Sequence, residues 1–171
     1  MLKGEELTSH IKEALEIVGL NYNEIKNKSP FDLSGGQKRR VAIAGVIATK
    51  PEILVLDEPA AGLDPKGKKE IMEFLHLLHK NWCKTIIFVS HDMDEISENC
   101  TKVAVFNKGG IEAVLAPKEL FKKSDRLLEM GLDIPVTASV ALKLKNCGIN
   151  INTDFTTDDF IEKVIQLNNK Q

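Results

Sequence analysis

Hydrophobic positions near the start of the chain recur at helical spacing. Leu7, Ile11, Leu15 and Val18 share one stripe and Gly19 makes a natural stop, so a helix is expected from Glu5 to Val18. Asn21 to Asp32 is polar with one proline and reads as a loop. A second helix is expected from Gly35 to about Thr49, and its interior, Val41 to Ala48, is small and apolar on all sides, as a buried helix would be. The period then changes. Ile53-Leu-Val-Leu-Asp57 and Thr85-Ile-Ile-Phe-Val89 are short apolar runs, which suits strands buried on both faces. Between them, Pro65 to Lys80 places Ile71, Phe74, Leu75 and Leu78 on one stripe, and a further helix is expected to begin near His91. Strand, helix, strand and helix in that order imply a parallel α/β sheet. Val103 to Phe106 and Ile111 to Leu115 flank Asn-Lys-Gly-Gly, the pattern of a β-hairpin. After Pro117 three helices are expected, about Lys118 to Met130, Val136 to Asn146 and Asp158 to Leu167, with Thr156 and Asp159 spaced as a capping box for the last.

Composition narrows the class. At 171 residues and 43% hydrophobic, the chain can bury a real core and fits one domain or a large part of one. Twenty-three basic against 25 acidic residues leave a formal charge of −2, so no basic excess points to nucleic acid. Cys83, Cys100 and Cys147 are far apart and odd in number, which suits neither a metal cluster nor a secreted disulfide framework. The longest fully apolar run, Val41 to Ala48, is far short of the roughly 18 residues a spanning helix needs. The N-terminus lacks the apolar region of a signal peptide. A soluble intracellular protein is expected.

Four short segments carry possible chemistry. In Leu33-Ser-Gly-Gly-Gln37, Ser34 and Gln37 have capping-box spacing, yet a cap does not explain Gly35 and Gly36, each of which disfavours a helical turn by roughly 1 kcal/mol. Bare backbone at a helix N-terminus also suits an anion, so both readings stand. Asp57 and Glu58 follow one another at the carboxyl end of a strand, where ligands bind in open α/β sheets. A turn explains one acid more readily than two, and two adjacent carboxylates suit metal-assisted phosphoryl transfer: Asp57 holding Mg²⁺ through water, Glu58 orienting or deprotonating an attacking water. Asp64 before Pro65 is fully explained as a helix N-cap. His91, in Ser90-His91-Asp92, stands just past the second strand, in line with Glu58. Gly62-Leu-Asp-Pro-Lys-Gly67-Lys68 imitates a phosphate loop, but Lys69 replaces the Ser/Thr that would ligate Mg²⁺ and Pro65 removes a backbone donor.

Taken in order, the four segments resemble the ATP-binding-cassette ATPases from about Ser29 to Leu115. Leu33 to Gln37 is similar to the family signature, Ile53 to Glu58 to the Walker B strand with its catalytic glutamate, Gly62 to Asp64 to the D-loop, and His91 to the switch histidine. Arg40 to Ala48, Gly62 to Gly67 and the tail Leu128 to Pro135 leading into Ala141 to Gly148 look more like the ATPases of energy-coupling-factor transporters, which import vitamins, cobalt or nickel. Ala60 stands where the family usually has Thr or Ser.

The resemblance implies an α/β fold: an incomplete P-loop NTPase core with parallel strands and a β-hairpin, part of the helical signature subdomain, and a C-terminal helical extension. The implied organisation is residues 1–52 for the partial helical subdomain, 53–117 for the C-terminal half of the core, and 118–171 for the extension. Nothing before Glu5 matches the family's opening strand, Walker A loop, adenine-stacking aromatic or glutamine loop, so by the family pattern about the first 100 or more residues of an ordinary domain are expected to be missing, by a cut or by natural truncation.

In the family two subunits sandwich two Mg-ATP molecules. By that resemblance Ser34, Gly35, Gly36, Gln37 and Asp64 contact ATP, Asp57 holds Mg through water, and Glu58 and His91 are catalytic. The implied partners are a second ATPase subunit, identical or different, a transmembrane coupling subunit and a substrate-binding membrane subunit, at the cytoplasmic face of the membrane. These residues alone are expected neither to bind nor to hydrolyse ATP, and an absent central strand would leave an apolar gap in the sheet. Another ABC importer or exporter ATPase is the alternative. A soluble nucleic-acid-binding ABC protein would show a basic extension or a coiled-coil insertion, neither of which this chain has.

Overall fold

The computed structural model describes residues 4–168, which divide into two compact units, one ending at Val89 and the other starting at Ser90. The first holds α1 (Glu5–Ile17), α2 (Tyr22–Ile25), α3 (Gly35–Ile47), β1 (Ile53–Asp57), α4 (Pro65–Asn81) and β2 (Thr85–Val89). Strands β1 and β2 pair in parallel, Val55 opposite Ile87 and Asp57 opposite Val89. One core runs through this unit: Ala14 and Leu15 of α1 with Val18 just past its end, Ile43, Ala44 and Ile47 of α3, Leu54 of β1, and Ile71, Met72, Leu75 and Leu78 of α4. The stripe on α4 therefore includes Met72, while Phe74 is only half-buried.

Three expectations change here. Asn21 to Asp32 is not plain loop: Asn21 caps α2 by accepting from the Asn23 N–H at 2.9 Å, and Ser29 with Pro30 starts a 3₁₀ turn over Pro30–Asp32. Such side chains cap short turns as readily as they break helices. Helix α3 is buried along one face only, with Ala42, Gly45 and Val46 exposed; small side chains let an apolar helix stand open at little cost in wetted area. The strands are not buried on both faces either. Leu54 packs inward, but Ile53 and Val55 are 59% and 65% exposed, and Ile87 and Val89 share that open side. With two strands and the core elements packed on one face, no described residue of this unit covers the other.

The second unit holds α5 (Met93–Asn99), β3 (Val103–Asn107), β4 (Gly110–Leu115), α6 (Pro117–Phe121), α7 (Ser124–Glu129), α8 (Val136–Asn146) and α9 (Thr157–Asn168). The hairpin forms as expected, antiparallel, closed by Lys108 and Gly109 at φ +48° and +81°, the two positive angles of a tight primed turn. The helix expected over Lys118 to Met130 is broken in two: α6 ends at Phe121 and α7 starts at Ser124, whose hydroxyl donates to the Phe121 carbonyl at 2.5 Å. The Thr156–Asp159 box is also replaced. The Asp154 N–H donates to the Asp159 carboxylate, and the Thr156 N–H donates to the Asp154 carboxylate, each at 2.9 Å.

Candidate functional site

Helix α3 opens with the expected box: the Gln37 N–H donates to Ser34 Oγ at 3.2 Å and the Ser34 N–H to Gln37 Oε1 at 3.1 Å. The cap accounts for Ser34 and Gln37 and leaves the glycines unexplained. A Cβ built on Gly35 or Gly36 would meet no atom within 4 Å, and neither residue has a positive φ. Neither packing nor backbone conformation demands glycine there. As the first two residues of the helix, their N–H groups have no carbonyl a turn earlier to bond. They are exposed, the first turn carries no acid, and Lys38, Arg39 and Arg40 follow. A basic run just past the first turn adds positive charge near an end of the helix that already favours an anion. Sequence reasoning missed this basic run, though Lys-Arg-Arg directly after the glycine pair was the available signal.

At the end of β1, Asp57 is exposed and Glu58 half-buried. The Glu58 N–H donates to the Val89 carbonyl at 2.9 Å, extending the parallel ladder by one rung, while its φ of +48° turns the chain out of the strand. A left-handed conformation costs a non-glycine residue about 1–2 kcal/mol, and such outliers cluster at functional sites. Asp64 caps α4 by accepting from the Gly67 N–H at 3.0 Å, with Pro65 as first helical residue. A Cβ on Gly67 would lie 2.8 Å from that carboxylate and 3.3 Å from the Leu63 Cβ. Gly67 is therefore a packing glycine with its N–H committed, and Gly62 to Lys68 offers no phosphate cradle.

The structure ties the first two groups together. Arg39 donates to the Ala61 carbonyl at 3.0 Å, fastening α3 to the turn that carries Glu58 and Asp64, and Arg40 pairs with Glu70 of α4 at 2.5 Å. His91 belongs to the second unit, two residues past the end of β2. Its flanks are fixed by a small network. Ser90 Oγ accepts the Asp92 N–H at 3.0 Å and donates to the Glu95 carboxylate at 3.1 Å, while Asp92 caps α5 by accepting the Glu95 N–H at 3.1 Å. Glu95 and Arg39 are the residues that motif reading did not find.

The donor set bears on a cofactor. Among the described residues no group of three or more His, Cys, Asp or Glu side chains could hold a metal ion. Asp57 is one carboxylate, enough to hold a single water of a Mg²⁺ ion whose other ligands would be phosphate oxygens and further waters. The open glycines at α3 suit a phosphate. The residues fit Mg-ATP delivered as a complex.

Known proteins identify the family. A family model described as ABC transporter matches residues 3–61. The chain is 47% identical to the energy-coupling factor transporter ATP-binding protein EcfA2 of Clostridium perfringens, over 95% of this chain and 58% of that one. It is 46% identical to EcfA2 of Clostridium tetani, over 99% of this chain and 59% of that one. Among solved structures, CbiO1 of Clostridium perfringens, part of the ABC transporter complex CbiONQ, matches at 37% identity and TM-score 0.65, over 86% of this chain and 54% of that one. A dimeric ATP-binding cassette, MJ0796, in a post-hydrolysis state with ADP and phosphate, matches at 32% identity and TM-score 0.56, over 68% of this chain and 49% of that one. The chain thus spans a little over half the length of the curated relatives it matches.

Proposed function

The chain belongs to the ATP-binding-cassette ATPases of energy-coupling factor transporters, and on that footing we propose that these residues form the signature and water-activating part of a subunit that couples Mg-ATP hydrolysis to micronutrient import. Cobalt, nickel or a vitamin is the cargo class of this reading. The observation that carries it is the pair Gly35–Gly36, open at a capped helix start with nothing in the structure to require glycine.

In this reading the stretches 1–52, 53–117 and 118–171 serve as signature subdomain, core half and extension. Ser34, Gly35, Gly36 and Gln37 offer hydroxyl, amide and backbone donors to a terminal phosphate held by a second ATPase subunit. Mg-ATP, when bound, supplies the phosphoryl group that water attacks. Asp57 holds the ion through water, Glu58 takes or orients the proton of the attacking water, and His91 steadies the oxygens of the same phosphate. Asp64 keeps its capping role and adds a carboxylate beside the second subunit. No described helix is long and apolar enough to cross a membrane, so attachment at the cytoplasmic face runs through membrane subunits.

Phosphate release by the protein carrying these residues, assembled with a second ATPase subunit and its membrane partners, tests the proposal. Glu58→Gln should lower kcat about a hundredfold or more while ATP binding persists. Hydrolysis indifferent to that change would overturn the assignment. Mg-ATP titrated into the 171-residue chain alone should give no binding heat at micromolar concentrations; clear heat would restore Gly62 to Lys68 as a nucleotide loop.

A further inference from the structure

Phe155 is a bulky residue at φ +72°, a conformation that needs a reason. It sits in a knot of hydroxyl groups. Its carbonyl accepts from Ser97 Oγ at 2.8 Å and from Thr137 Oγ1 at 2.6 Å, and its N–H donates to Thr153 Oγ1 at 3.0 Å. All four residues are buried, and the Phe155 ring meets Phe121 edge-on at 6.3 Å. Two further bonds flank the knot: the Val136 N–H donates to Asp94 at 2.9 Å, and the Thr157 N–H donates to Glu98 at 2.7 Å. The residues of α5 in this set are Asp94, Ser97 and Glu98, so α5 is fastened to the C-terminal helices at three levels. The same helix begins two residues after His91 and holds its loop through Glu95.

We propose that the segment from Val136 to Thr157 is a positioning element for His91, acting through α5 and latched by the Phe155 carbonyl. This rests on the role given to His91 above. A cleft of about 540 Å³, lined by His91, Asp94, Asp133, Val136 and Lys143 among others, opens beside the loop. The hold on the loop therefore runs through hydrogen bonds to α5 rather than through close packing against α8. Ser97 and Thr137 are the positioning residues: between them they place two hydroxyls on one carbonyl of a buried residue, so removing either weakens the latch.

Amide hydrogen exchange on the 171-residue chain tests this without ATP. Ser97→Ala should lower protection of the Asp92 and Glu95 amides about tenfold or more, while the β3–β4 hairpin amides stay as protected as before. Thr137→Val should act in the same direction, and Ser97→Thr, which keeps the hydroxyl, should restore protection. In the assembled ATPase, Ser97→Ala should lower kcat about tenfold with KM for ATP unchanged, and Ser97→Thr should recover it. Unchanged exchange at Asp92 and Glu95, or equal loss in the hairpin, would overturn the proposal. An assembled protein that fails to hydrolyse ATP at all would instead overturn the functional reading, leaving the exchange result to stand by itself.

Discussion

The starts of α3 and α4 look alike in sequence and differ in what fills them. Each opens with a polar cap, Ser34 or Asp64, and each has glycine in its first turn. At α4 the cap carboxylate takes the Gly67 N–H and lies where a side chain on that glycine would go, so helix and cap consume each other's free groups. At α3 the cap reaches past the glycines to Gln37, leaving two backbone donors and an empty volume in front of them. One helix start closes on itself, and the other leaves its first amides open, as the proposed phosphate contact requires. Glycine alone thus says little about a phosphate site; what stands in front of the missing Cβ decides it.

The widest separation between the two should come from Gly36→Ala. In the assembled ATPase it should cut hydrolysis about a hundredfold, roughly 3 kcal/mol of transition-state stabilisation, because a methyl enters the phosphate's place. The chain itself should be unharmed or stabilised by up to about 1 kcal/mol, alanine being the better helix former. Urea unfolding followed by the single Trp82 reads the second half of that statement.

Gly67→Ala should do the opposite, costing about 1–3 kcal/mol of stability through overlap with Asp64 and Leu63. In an Asp64→Ala background the same change should cost measurably less, since the atom it strikes first is gone; additivity in that double-mutant cycle would refute the packing account.

The smallest effect belongs to a third start, that of α9, which supplies its own acids, Asp158 and Asp159. Hydrogen bonds from the Asp154 N–H and the Thr153 hydroxyl hold the Asp159 carboxyl below its ordinary pKa, helped by Lys163. Because the folded value is the lower one, its stabilising contribution is complete above the unfolded value near 4 and fades as pH falls through the folded value. Asp159→Asn should flatten that part of the acid-unfolding curve, read by circular dichroism.

Much of this was legible in the chain. Period and punctuation located α1, α3, α4, both parallel strands and the hairpin, because each has a stripe or an apolar run bounded by a cap, a glycine or a primed turn. The capping box at Ser34 and the N-cap at Asp64 were readable from spacing alone. The open face of β1 and β2 was not, since an apolar run says that burial is favourable without saying what is present to bury it. Nor was the break at Lys122–Lys123, where no glycine or proline marks it. Glu58's left-handed backbone and the Phe155 knot were equally hidden, being set by partners 31 and 58 residues away in the chain: Val89 for the first, Ser97 for the second. Local signals locate elements; distant hydrogen bonds set the angles at which the site's residues leave them.

The bare face of the parallel pair has a practical meaning for anyone who handles the protein. In the 171-residue chain by itself Ile53, Val55, Ile87 and Val89 form an oily patch, and greater thermal stability will not hide it. The chain's shelf life in a tube is therefore a colloid problem, governed by concentration and salt, and a protein that melts late can still cloud early.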